Sequence, residues 1–419
     1  MSVSLPDSAV VSSQPWWREP TRAQWTAFAA AWFGWVLDAF DFTVYLLVMP
    51  DIMKEFGVSS TATSSSIALT LLLRLAGGIT AGWAADRWGR KLPLLISIVW
   101  FAACDGAISL APSFTVVLVL RTLFGFGMGA EWTAGATLAM ENWPSRSRGI
   151  ASGILQGSWA IGYLLAAQAA ALVVPRFGWR GLFVTAAVPA LLIFPIMLMV
   201  KESPAVHGPS GEGSSFVEVW RTPGVLRRIV WGSAAMACGL AAYYGLTGLY
   251  STLLKGTFHM DIREVSTHVT LFNVGMMLGA IACGVIAMRR SVALAILIPT
   301  LAMAVTSPLY VGAVPSLLLL GAFLGGVFGA GYSGTTPLLL TSLFPPHLRA
   351  KSVGLVYHLG AVPAAFVPMV IAALSDKAGV PLGWAIASVV SASVLGMVAL
   401  VLLGPAEVRA RSSAEASAH

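Results

Sequence analysis

The chain has 419 residues, of which 57% are hydrophobic and only 10% charged; a soluble domain carries about 25% charged residues, so this composition excludes an ordinary soluble fold and points to lipid. Its 25 Lys and Arg outnumber 18 Asp and Glu for a net charge of +7, but they form no basic groove with interleaved aromatics, which excludes nucleic acid as a partner. Cys104, Cys238 and Cys283 are isolated in apolar segments, and no nucleophile set, metal cluster or phosphate-cradling loop stands out, so neither an enzyme, a metal site nor a cofactor is expected.

A polar leader at 1-24, containing Trp16, Trp17 and Arg18, precedes the first apolar run, which is too long for a signal-peptide core and reads as a helix that stays. Stretches of about 20 apolar residues, enough to cross a ~30 Å hydrocarbon core, then recur at 25-49, 61-85, 92-110, 115-140, 149-174 and 182-200. A cytoplasmic linker at 201-227 holds the polar, flexible run Gly208 to Ser215. Six further stretches follow at 228-250, 266-288, 291-312, 315-343, 352-374 and 382-404, and then a cytoplasmic tail at 405-419. The expected fold is therefore an all-α polytopic membrane protein with twelve transmembrane helices in two six-helix bundles, 25-200 and 228-404. With the N-terminus inside, the outer loops hold only Lys54, Arg176, Arg180, Lys255, Arg263 and Lys377. All other Lys and Arg except Arg74 and Arg121 fall inside, so both termini read as cytoplasmic.

Five ionisable residues interrupt the apolar spans of the first half: Asp38 and Asp41 in the first, Arg74 in the second, Arg121 and Glu131 in the fourth. A charge at the centre of a membrane helix costs roughly 2.5–3.5 kcal/mol on insertion scales, so such residues mark a polar interior and a transport task. Three carboxylates against two guanidinium groups leave one acid without a permanent partner, able to carry an exchangeable proton.

Leaving the second span, Gly82-Trp-Ala-Ala-Asp86-Arg87-Trp-Gly89-Arg90-Lys91 resembles the signature loop of the major facilitator superfamily, G-x-x-x-D-R-x-G-R-K, at every specified position. The resemblance implies gating charges at Asp86, Arg87 and Arg90. The corresponding loop of the second half, from Gly284 to Arg290, lacks the aspartate. In the fourth span, Gly125, Gly127 and Gly129 precede Glu131, and such spacing lets another backbone approach closely. Together with Asp38-Ala-Phe40-Asp41 and Glu202-Ser203-Pro204, this pattern resembles the sialate:proton symporter family, in particular its lactate-permease-like bacterial branch. The G-x-x-x-G-P element of the superfamily's drug antiporters is replaced by Gly157-Ser-Trp-Ala-Ile-Gly162-Tyr163, which disfavours antiport. Thr267-His268-Val-Thr270 matches only half of an element found in fungal monocarboxylate permeases.

The halves are related to each other. Gly129-Ala-Glu-Trp132 aligns with Gly329-Ala-Gly-Tyr332, and Trp143-Pro144 with Phe344-Pro345. The second half places no charge deep in any span; its polar residues there are Tyr243, Tyr244, His268, Asn273, Tyr332 and His358. Charge handling is therefore expected in the first half and selection by shape and hydrogen bonding in the second.

At 1.5 Å per residue, Asp38 and Arg74 fall roughly at the midplane and Asp41 about 5 Å outward, with Glu131 about 5 Å inward and Arg121 about 10 Å outward. Arg74 is expected to brace the second span to Asp38 or Asp41. Arg121, which the resemblance puts on a cavity-lining span, is expected to grip the substrate carboxylate, with Tyr243, Tyr244, His268, Asn273 and Tyr332 as further contacts. An arriving anion would compete for that arginine and favour protonation of the acid it releases; the order of preference for that acid is Glu131, Asp41, Asp38. Asp105 and Glu141, near span ends, read as interfacial.

The resemblance implies a monomeric carrier in the bacterial inner membrane that takes up a small monocarboxylate such as lactate or pyruvate with a proton by alternating access. Its partners are then a small organic anion, a proton and the lipid bilayer. Sialate or an aromatic acid is the alternative substrate, and a membrane receptor for an organic acid is the alternative of another class.

Overall fold

The computed structural model describes residues 15–88, 91–140, 143–144, 148–199, 222–336, 339–340, 343–344 and 349–404. Arg90 lies outside the described residues, and so do the side chains of Asp86, Arg87 and Glu131.

Helix α1 (Arg22–Phe56) opens on a capping box, in which Thr21 accepts from the Gln24 amide while the Gln24 side chain accepts from that of Thr21. It ends at Gly57, whose left-handed φ of 63° favours glycine. Helices α2 (Ser60–Trp88), α3 (Lys91–Ile108), α4 (Phe114–Met140) and α5 (Arg148–Met199) complete the first half. Within α5, Gly178 leaves helical geometry at φ 66° and divides the fifth span from the sixth.

In the second half, α6 (Val225–Thr247) and α7 (Tyr250–Thr257) make one jogged span, followed by α8 (Ile262–Arg289) and α9 (Val292–Tyr310). The tenth span is irregular: α10 (Leu318–Leu324) passes into a π-helical stretch at Gly325–Ala330 and a 3-10 stretch at Gly331–Thr335. Next, α11 (Arg349–Ala365) and α12 (Val367–Asp376) form the eleventh span, and α13 (Leu382–Leu403) is the twelfth. The molecule is thus an all-α membrane protein of twelve spans. Lipid supplies no hydrogen-bond partners, so each segment satisfies its backbone internally as a helix.

Glycines set how closely these helices approach. A Cβ at Gly125 would collide with the carbonyl of Thr70, and one at Gly129 with the carbonyl of Arg74, so α4 rests directly on the backbone of α2. The Thr70 hydroxyl also donates to the Arg121 carbonyl at 2.8 Å. The same construction recurs in the second half, where Gly275 and Gly279 of α8 meet the carbonyls of Phe323 and Val327 on the tenth span. Spans 2 and 4 thus pair as spans 8 and 10 do, in keeping with the repeat seen in the sequence.

The two halves are joined on the side that the charge pattern reads as outer. Lys255 pairs with Asp51 at 2.6 Å, and the Thr61 amide and hydroxyl both donate to one oxygen of Asp376, at 2.8 and 2.7 Å. Deeper in, Gln168 donates to the Thr270 hydroxyl, and the Trp159 indole donates to the Tyr243 hydroxyl, each at 2.8 Å.

Candidate functional site

Asp38 and Asp41 lie one turn apart on α1, and both are fully buried. Among the described residues, no side-chain oxygen of either accepts a hydrogen bond. Beside them, Arg121 of α4 is 1% exposed and enclosed within the first bundle. Its Nη1 lies 3.4 Å from Oδ1 of Asp105 and donates to the Asp41 carbonyl at 3.3 Å. Its guanidinium sits over the rings of Phe124 and Tyr45, at 4.1 and 4.9 Å from their centroids.

Asp105 is the residue that sequence reasoning missed. The expected interfacial position would leave it wet, but it is fully buried on α3 against Arg121. The signal was depth: Asp105 stands about one turn from the outer end of α3 and Arg121 about two turns from the outer end of α4, an offset of about one turn that a long arginine side chain spans. With Asp105 included, the described residues hold three buried carboxylates, Asp38, Asp41 and Asp105, against Arg74 and Arg121. The excess of one acid therefore exists without counting Glu131, whose side chain is outside the described residues.

Arg74 takes a different place from Arg121. It lines the central cavity between the two halves, an empty space of about 960 Å3 including the part open to solvent. Its guanidinium carbon lies 5.8 Å from the centre of the Trp159 ring, and Asp38 lies within electrostatic reach of both arginines. The first half contributes only Arg74 and Trp159 to the described lining, while the second half adds Tyr243, Tyr244, Tyr332 and Tyr357 among apolar neighbours. Tyr243 and Tyr244 meet edge to face at 5.5 Å. In this chamber the only charged side chain among the described residues is a cation, and aromatic rings dominate the polar lining.

Of the other sequence-derived candidates, Tyr243, Tyr244 and Tyr332 are brought together here, whereas His268 and Asn273 are not among the lining residues. The His268 Nδ1 lies 2.8 Å from the carbonyl of Glu264, one turn back on its own helix. Asn273 borders a smaller space of about 310 Å3, together with Thr43, Tyr163 and Tyr250. Tyr357 and Trp159 complete the central wall; Tyr357 carries no signal in the sequence, and Trp159 stands one turn before Tyr163 on the fifth span, a spacing that suits packing as well as lining.

Such a site can hold an anion by its arginine and a planar group by its rings, and it places both beside an acid cluster with one more carboxyl than guanidinium groups among the described residues. Over 91% of this chain and 94% of its own length, the sialic acid transporter NanX of Escherichia coli is 26% identical. A cis,cis-muconate transport protein of Acinetobacter baylyi is 27% identical over 86% of this chain and 90% of its own. A gallate transporter of Pseudomonas putida is 26% identical over 86% and 87%. Among solved structures, a D-xylose-proton symporter superposes with a TM-score of 0.72 at 17% identity, covering 89% of this chain and 97% of the other, which speaks to the fold. The family model of the Major Facilitator Superfamily matches residues 31–261 and 233–419; the chain is a membrane transport protein belonging to that superfamily.

Proposed function

We propose that the protein is a proton-coupled symporter of an aromatic carboxylic acid, working in the inner membrane as a monomer with both termini cytoplasmic. The observation that carries this reading is the pairing of Arg74 with the aromatic wall of Trp159, Tyr243, Tyr244, Tyr332 and Tyr357 in one cavity. A guanidinium grips a carboxylate through two parallel hydrogen bonds, and flat rings bury a flat ring with little loss of side-chain freedom. The aromatic wall and the names of the sialic acid, muconate and gallate relatives favour a substrate larger than the lactate or pyruvate that the sequence resemblance put first.

Coupling follows from the charge count. Arg74 lies within electrostatic reach of Asp38. A bound carboxylate draws on the same cation and makes a proton on the acid cluster more favourable, so anion and proton load together. Rocking of the two six-helix halves then carries both across. Asp38, Asp41, Asp105 and Glu131 are the acids available to hold the proton.

Uptake of radiolabelled benzoate and lactate into proteoliposomes, with and without an inward proton gradient, tests the reading. Accumulation of benzoate only with the gradient is expected. Uptake indifferent to the gradient would sink proton coupling, preference for lactate would restore the small acid, and binding without uptake would favour a receptor.

A further inference from the structure

The smaller space bordered by Asn273 lies between the two halves. Thr43 and Tyr163 border it from the first, and Thr247, Tyr250, Asn273 and Tyr310 from the second. Thr43 stands eight residues before Asp51 on α1, and Tyr250 five before Lys255 on α7. At 1.5 Å per residue the space is therefore about 8–12 Å inward of the Lys255–Asp51 pair that joins the halves on the outer side.

Most of the polar groups on its wall are already engaged. The hydroxyls of Thr43, Thr247 and Tyr310 donate to the carbonyls of Ala39, Tyr243 and Leu246, each within its own half, and the Asn273 amide nitrogen donates to the Val269 carbonyl. Three buried atoms have no hydrogen-bond partner among the described residues: the hydroxyls of Tyr163 and Tyr250, and Oδ1 of Asn273. All three residues are at most 3% exposed. Thr43 and Tyr243 neighbour the Tyr163 hydroxyl without a hydrogen bond to it. Stacking on Tyr310, with ring centroids 4.3 Å apart, fixes the Tyr250 ring. Leaving such groups unpaired is costly, and buried polar atoms are paired with protein or with ordered water as a rule.

We propose that this space holds one water molecule that bridges the two halves and is a link in the closure of the outer side. The wall has two free donors, the phenols of Tyr163 and Tyr250, which match the two lone pairs of a water; its two hydrogens go to Asn273 Oδ1 and to a spare lone pair of Thr43 or Thr247. Ser251 adds one more hydroxyl, able to give or to take. The space admits the centre of a water molecule over about 20 Å3, and roughly 10–15 Å3 holds one; the carried anion does not fit. Because Thr43 and Tyr163 move with one half and Tyr250 and Asn273 with the other, the site exists only while the outer side is shut. It serves whatever anion the carrier takes.

A bridged hydroxyl and an unpaired one predict shifts of opposite sign. Spin labels on Lys54→Cys and Arg263→Cys, both exposed at outer helix ends of different halves, report the ratio of outward-open to outer-closed protein by pulsed electron resonance in a background lacking the three native cysteines. With the water in place, Tyr250→Phe removes a bond particular to the closed form, and the open-to-closed ratio is expected to rise roughly two- to tenfold. Tyr163→Phe and Asn273→Leu should act in the same direction. The two Phe changes together should give less than the product of their separate effects, since both act through one water. Ser266→Ala, whose hydroxyl donates to the Ile262 carbonyl of its own helix and borders none of these spaces, should leave the ratio as it was. If the hydroxyls are unpaired, deleting one relieves a cost borne by the closed form alone and the ratio falls; a fall, or no change in any of the three variants, overturns the proposal. Should these variants fail to reach the membrane, a crystal structure of the unmodified outer-closed protein, at a resolution that shows waters, gives the answer. Density about 2.7–3.2 Å from both the Tyr250 hydroxyl and Asn273 Oδ1 is expected; a direct bond between those two atoms, or no density there, overturns it.

Discussion

Exchanging Arg74 for lysine separates the two buried arginines by role. Lysine keeps the charge but replaces the two-pronged grip on a carboxylate with a single point contact. A charged hydrogen bond is worth about 1.5–3 kcal/mol, so losing one raises KM for benzoate roughly 10- to 100-fold. Thermal stability in detergent should change little, because Arg74 borders an open cavity. Arg121→Lys should do the opposite. That side chain is 1% exposed, stacked on Phe124 and Tyr45 and paired with Asp105. Each lost cation–π contact costs about 0.5–2 kcal/mol, so the melting temperature should drop by several degrees before any change in KM of the surviving protein. Concentration-dependent initial rates in proteoliposomes, set beside a melting curve for each variant, read both effects. The reasoning fails if Arg74→Lys leaves KM unchanged while Arg121→Lys raises it without loss of stability; Arg121 would then be the substrate anchor that the sequence suggested.

Asp38→Asn should abolish gradient-driven accumulation yet spare exchange of labelled for unlabelled substrate, since Asp38 lies within electrostatic reach of Arg74, the proposed substrate anchor. If Glu131→Gln has that phenotype and Asp38→Asn does not, the proton rides on α4. On the outer side, Asp376→Asn weakens two hydrogen bonds from Thr61 and should shift the population toward outward opening. In a background lacking the three native cysteines, labelling of a Thr247→Cys variant by an impermeant thiol reagent should then rise roughly tenfold, as about 1.4 kcal/mol of lost closure predicts; unchanged labelling would show that the contact does not hold the outer side shut. At the outer end of α1, hydrogen bonds from Arg180 and then Trp179 hold the Glu55 carboxyl below its usual range. That pair therefore contributes above the ordinary carboxylate pKa and is lost as pH falls through the lowered value. For an exposed pair the amount is at most about 1 kcal/mol, so Glu55→Gln should lower the melting temperature slightly at pH 7, by an amount that shrinks as the pH falls through the lowered value of Glu55 toward pH 3. Parallel melting curves at the two pH values would show that the pair contributes nothing.

The twelve spans were legible because apolar length is counted directly along the chain, and glycine spacing in the fourth span announced a close helix contact that Thr70 and Arg74 supply. What could not be read was which way each buried charge points. These helices are apolar on nearly every face, so no polar stripe distinguishes the cavity side from the bundle interior or the lipid. Arg74 and Arg121 were therefore separable only by the neighbours that α1, α3 and α4 bring to them. Asp105 was misplaced for a related reason: hydropathy draws the end of a span where apolarity fades, and a carboxylate near that edge looks wet until a partner within side-chain reach is found. In the second bundle the expected Tyr243, Tyr244 and Tyr332 border the cavity while His268 and Asn273 do not, because sequence marks a polar residue in a span without showing which face of the helix it takes.

The spare carboxylate has an electrical consequence. With Asp38, Asp41 and Asp105 opposing Arg74 and Arg121, loading one monoanion with one proton leaves the total charge of the cluster unchanged. A charge moved through the membrane field exchanges about 2.3 kcal/mol per 100 mV, but on the proposed stoichiometry the loaded and empty carriers present the same charge to it. The voltage across the membrane would then do no net work over a cycle. Accumulation would depend on the pH difference alone and would persist in a cell whose membrane potential had collapsed while its pH gradient remained.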